Sequence, residues 1–117
     1  MRTLITTAAL GLSLWSGAAF AQAVEGRYRV EGRDGSNTYA GTATVSRTGE
    51  TFRIQWRIGD ETYNGTAIGD ERFLAVSFTS AQGSGVGLWG REGEGWKGIW
   101  TWSNGRALQP EAWTRAR

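Results

Sequence analysis

The chain has 117 residues, with 18 glycines, 7 tryptophans and one proline, neither cysteine nor histidine, and a formal net charge of +2. That length holds one domain of about 100 residues. Without cysteine or histidine there are no disulfides, no thiol chemistry, no His-based nucleophile pairs and no zinc-finger ligand sets; carboxylates are left as the acid–base groups.

Met1-Arg2 gives a positive start, residues 4–20 carry no charge, and Ala19-Phe20-Ala21 and Ala21-Gln22-Ala23 both read small-x-small. This order predicts a secretory signal peptide over residues 1–23, cleaved after Ala23. A stretch of ~17 residues broken by Thr6, Thr7, Ser13, Ser16 and two glycines is marginal for a bilayer span. The mature chain, residues 24–117, is therefore expected to have no membrane span and to be periplasmic or secreted. Its 12 basic residues against 11 acidic ones, interspersed along the sequence, argue against a nucleic-acid partner.

Turn signals then recur every 10 to 14 residues, at Asp34-Gly35, Thr48-Gly49, Gly59-Asp60, Gly69-Asp70, Gln82-Gly83, Gly93 to Gly95 and Asn104-Gly105. They divide the chain into eight runs. The first places Val24, Gly26, Tyr28 and Val30 on one face, and the second Tyr39, Gly41, Ala43 and Val45. Phe52, Ile54, Trp56 and Ile58 follow in the third, opposite Thr51, Arg53, Gln55 and Arg57. A fourth contains Tyr63 and Gly65, the fifth alternates Leu74, Val76 and Phe78, and the seventh Trp96, Gly98, Trp100 and Trp102. Glu111 and Trp113 share a face of the last. Period 2 is the strand pattern. Eight short runs joined by tight turns predict an all-β domain, an eight-stranded antiparallel up-and-down β-barrel. An even strand number lets the first and last strands pair and removes both edges. Because the second face is Arg, Thr, Gln, Glu and Lys, the barrel is expected to be soluble with its apolar face inward, unlike an outer-membrane barrel.

Tyr39-Ala-Gly41-Thr42-Ala43 is echoed by Tyr63-Asn-Gly65-Thr66-Ala67 and, more loosely, by Trp96-Lys-Gly98-Ile99-Trp100 and Gly26-Arg-Tyr28. Large residues alternating with glycine fit the taper of a filled barrel. They also fit an aromatic-lined cavity in which Tyr28, Tyr39, Trp56, Tyr63, Trp96 and Trp100 bind a ligand. Glu111 reads either as an inward charge paired with an arginine or as a rim residue. Gly83-Ser-Gly85-Val-Gly87 lacks the lysine and helix of a phosphate loop and reads as a flexible hairpin. Asp60-Glu61 and Asp70-Glu71 read as solvated turns. No metal or cofactor is expected, and with the acids gathered in turns no enzyme.

The order Gly26-Arg-Tyr28-Arg-Val30-Glu-Gly32, Tyr39-Ala-Gly41-Thr42, Ile54-Gln-Trp56-Arg-Ile58-Gly59, Leu74-Ala-Val76, Gly85-Val-Gly87-Leu88 and Gly95-Trp-Lys-Gly98-Ile-Trp100-Thr101 resembles small exported proteobacterial proteins labelled "fibronectin-binding protein". The family's Gly-x-Glu-Arg-Leu ending is present only as Pro110-Glu111-Ala-Trp113. More distantly the meander is similar to avidin-like and lipocalin-like barrels. The expected function is a non-enzymatic exported binding module for a small hydrophobic ligand or an extracellular or envelope protein. Its alternative is an envelope-associated interaction protein with a filled core.

Overall fold

A computed structural model describes residues 23–117. The signal peptide expected over residues 1–23, all but Ala23, lies outside the described residues. Eight antiparallel strands follow in chain order: β1 (Gly26–Asp34), β2 (Asn37–Thr48), β3 (Thr51–Ile58), β4 (Glu61–Gly69), β5 (Phe73–Ser80), β6 (Gly83–Glu92), β7 (Gly95–Trp102) and β8 (Gln109–Arg115). Each pairs with its sequence neighbour, and β1 pairs with β8 from Tyr28↔Arg115 to Gly32↔Glu111, closing the barrel. Every strand thus has two partners, and no row of unpaired backbone groups is left at an edge.

The strands form where the alternation runs, and the turns where glycine permits them. Gly49 and Gly59 each have φ +62°, which a side chain disfavours and a tight hairpin needs. At the β4–β5 turn, Asp70 Oδ1 accepts from the backbone N–H of Arg72 at 2.8 Å and Phe73 at 3.3 Å, which holds its carboxyl below the usual range. Two elements differ from the sequence expectation. The last connection is not tight: it is a six-residue link, Ser103–Leu108, with Asn104 at φ +69°. The glycine-rich stretch read as a flexible hairpin is the first half of β6.

That glycine stretch shows how the core is filled. A Cβ on Gly85 would meet the Phe78 ring at 2.5 Å, and one on Gly87 the Trp89 ring at 2.5 Å. Gly98 likewise lies under Trp89, and Gly65 under Trp56 at 2.7 Å. Phe78↔Gly85 and Trp89↔Gly98 are direct cross-strand partners. The aromatic–glycine pairing therefore works across strands (Phe78 over Gly85, Trp89 over Gly98, Trp56 over Gly65) as well as along one (Trp89 over Gly87), each of these rings lying over a glycine on the barrel wall.

All six tryptophans after residue 23 are on the inner face with Tyr28, Val30, Ala43, Val45, Phe52, Ile54, Leu74 and Val76. Outside, β1 and β3 present Arg27, Arg29, Arg33, Arg53 and Arg57, as the alternation predicts. The outer face of β4–β7 departs from it. Ile68, Ala75, Leu88, Ile99 and Pro110 are successive cross-strand partners in one apolar row, with Ile68 60% and Leu88 56% exposed.

Because Trp89 occupies the space of two missing side chains, Gly98→Ala should destabilise the barrel by about 1–3 kcal/mol through overpacking. Urea unfolding curves measure it; an unchanged midpoint would remove the cradle argument.

Candidate functional site

The two ends of the lumen are built differently. At the end carrying residues 23–25 and 116–117, Tyr28 and Trp96 are fully buried and Trp113 lies 5.2 Å from the Tyr28 ring centroid. The Tyr28 hydroxyl donates to the Val24 carbonyl at 2.8 Å and accepts from Arg115 at 2.9 Å and Trp96 Nε1 at 3.4 Å. The Arg115 guanidinium lies 4.7 Å over the Tyr28 ring and that of Arg91 4.3 Å over Trp96. Both arginines also bond to the Ala23 carbonyl, holding residues 23–25 across this end with the Val24 side chain buried beneath. This half is filled.

At the opposite end, where the β1–β2, β3–β4, β5–β6 and β7–β8 connections lie, a cavity of about 240 Å³ opens. Its wall is aromatic: Tyr39, Trp56, Tyr63, Phe78, Trp89, Trp100 and Trp102. Phe78 sits centrally, with ring centroids 5.7 Å from both Trp100 and Trp102. Asp34 stands at the rim, where it accepts from Trp102 Nε1 at 3.1 Å, and Glu111 lies deeper. No lysine or arginine is among the lining residues described.

Glu111 is inward and 7% exposed, and its partners are not arginines. Trp56 Nε1 donates to Oε2 at 3.0 Å, Trp113 Nε1 donates to the same oxygen at 2.6 Å, and the Tyr39 hydroxyl donates to Oε1. The arginine pairing fails on geometry, since Arg91 and Arg115 belong to the filled end. Burial pushes the Glu111 carboxyl above its ordinary 4.5, while the Trp113, Tyr39 and Trp56 hydrogen bonds pull the other way. Burial, then the Glu111 charge and hydrogen bond, push the Tyr39 phenol far up. Burial together with Glu61 and Asp34 raises Tyr63. The buried indole N–H groups of Trp89 and Trp100 have no hydrogen-bond partner among the described residues.

Of the six residues read from the sequence as ligand-binding, the structure brings Tyr39, Trp56, Tyr63 and Trp100 together around the cavity. Tyr28 and Trp96 are packed into the filled end. The aromatic–glycine echo missed Phe78 and Trp102, although the alternation had placed both on the inner face. It also missed Trp89, cradled between two glycines, and the inward turn of Asp34 beside a hairpin glycine. A scan against family models finds no match, and a search of curated proteins finds no relative of significant similarity.

Glu111 generates a pH dependence of known sign. A carboxyl raised in the folded state binds its proton more tightly there, so its contribution to stability falls as pH rises from the unfolded value through the folded one. Glu111→Gln keeps an acceptor for the two indoles and has no proton to release. Thermal melts from about pH 4 to about pH 8 should show wild type losing stability relative to Glu111→Gln as pH rises. A difference constant with pH would contradict the raised carboxyl. Glu111→Leu should be severely destabilised, by about 1–3 kcal/mol for each of the three donors left unpaired.

Proposed function

We propose that the chain is a non-enzymatic, exported binding module whose barrel takes one small ligand with an apolar or aromatic body at its open end. The observation that carries this reading is the aromatic cavity itself, apolar on its walls with a small number of polar groups converging on it. Its volume falls below the ~300–1,000 Å³ of pockets for drug-sized molecules, which favours a compact ligand. Export is supported by the order of charge, apolar run and small residues in residues 1–23.

A second reading, an interaction protein that grips a protein partner as the family resemblance implies, draws on the exposed apolar row from Ile68 to Pro110. In that case Leu88→Glu and Ile99→Glu would abolish capture on immobilised fibronectin and leave the cavity unaffected.

Titration with cyclic alcohols and alkylphenols, followed by tryptophan emission and calorimetry, tests the cavity. Tyr63→Ala, at the mouth, should weaken binding about tenfold with little loss of stability. Trp56→Ala should cost about 3–5 kcal/mol of stability, as expected of a core residue. No saturable response to any member of the panel would defeat the cavity reading.

A further inference from the structure

The polar groups of the cavity say more than its aromatic walls do. Each carboxylate oxygen offers two acceptor sites. Oε2 of Glu111 fills both with the indoles of Trp56 and Trp113, while Oε1 takes only the Tyr39 hydroxyl and keeps one site open. All three donors are neutral, so this buried carboxyl has no counter-charge from the described residues. Asp34 adds a second carboxylate at the rim. Arg106 is in the β7–β8 connection but does not line the cavity.

The filled end gives the comparison. There the same kind of aromatic interior is met by two guanidinium groups, each within 5 Å of a ring centroid. Aromatic faces attract cations, and more strongly when water is excluded. The open end brings aromatic rings and carboxylates together, and no lysine or arginine is among the described residues that line it.

We propose that the ligand of this cavity is a small protonated amine, its N–H donating to Glu111 Oε1 and its carbon body lying among Tyr63, Phe78, Trp100 and Trp102. The inference rests on the cavity being a binding site and adds the charge and donor that the site selects. A neutral ligand of equal shape would leave the Glu111 carboxyl without a counter-ion; an anion would meet two carboxylates. A quaternary ammonium would supply the charge but no N–H for the open acceptor site.

Calorimetric titration of the full chain at about pH 7.5, where a primary amine is charged, tests this with 2-phenylethylammonium and its isostere 2-phenylethanol. The ammonium should bind at least about tenfold more tightly than the alcohol. That advantage should collapse in Glu111→Gln and shrink in Asp34→Asn, a rim change that keeps the acceptor for Trp102. Near-ultraviolet dichroism shows whether each variant retains its packed core. If the alcohol binds as well as the ammonium, the charge selectivity is overturned and the cavity reading stands. If neither binds while the cyclic alcohols or alkylphenols do, the amine is again overturned. If no compound of either set binds, both readings fall together. An advantage that persists undiminished in both variants would also overturn the assignment to Glu111 and Asp34.

Discussion

The open half of this barrel depends on one buried carboxyl. A carboxylate withdrawn from water is costly unless donors replace the lost hydration. The chain supplies those donors from three strands: Tyr39 from β2, Trp56 from β3 and Trp113 from β8, the strand of Glu111 itself. The result is a tie across the lumen. It fixes the polar edges of three large side chains at a single point and adds a side-chain link between β8, only seven residues long, and β2 and β3. Because all three donors converge on one carboxyl of β8, the cavity wall and the strand that closes the barrel meet at Glu111.

Six tryptophans in the interior of a barrel this narrow would be expected to leave no cavity, since eight strands enclose little more than their own side chains. Glycine resolves the conflict. With Trp89 over Gly87 and Gly98, Trp56 over Gly65 and Phe78 over Gly85, the rings take space against the wall that other residues' Cβ atoms would occupy. Volume that would have crossed the lumen is thereby held at its periphery. At the opposite end Tyr28, Trp96 and Trp113 meet Val24 and two arginines, and the same aromatic content leaves no room. Filled and hollow barrels are both present, one at each end.

The architecture was legible because it follows from local rules: alternation sets the faces, glycine sets the hairpins, and an even strand number lets β1 meet β8. Three of the cavity residues, Tyr39, Tyr63 and Trp100, could be read from aromatic–glycine spacing along a strand, and Trp56 from the alternation of its own. The remainder depended on distance between strands, which spacing does not carry. Tyr28 and Trp96 show the same pattern as Tyr39 and Tyr63, but register places them at the end where Val24, Arg91 and Arg115 cover them. Glu111 is the clearest case. Its inward face was readable from Trp113 two positions on, yet its partners come from 55 and 72 residues away in sequence. A buried acid normally suggests a basic partner, and only the barrel's closure reveals neutral donors in that place. The apolar row on β4–β7 was hidden for a related reason: Ile68, Ala75, Leu88 and Ile99 are scattered in sequence and adjacent only through pairing.

Among the side chains that meet the lumen, charge is placed as unevenly as volume. Arg91 and Arg115 are fixed at the filled end by backbone carbonyls of residues 23, 25 and 71 and by aromatic rings. Asp34 and Glu111 are fixed at the open end by indole and phenol donors. Neither arrangement can relax toward the other, because the strands between them are paired on both sides and the barrel has no edge to open. Inside the lumen the carboxylates face a low-dielectric aromatic interior, where screening is weaker than in water, while Arg33, Arg57 and Arg106 near the same end are exposed to solvent. The carboxylates thus act on the cavity from its own lining, although the chain as a whole has a slight positive charge. Net charge alone would point to an anionic partner; the placement of the charges points the opposite way at the one cavity whose walls converge on them.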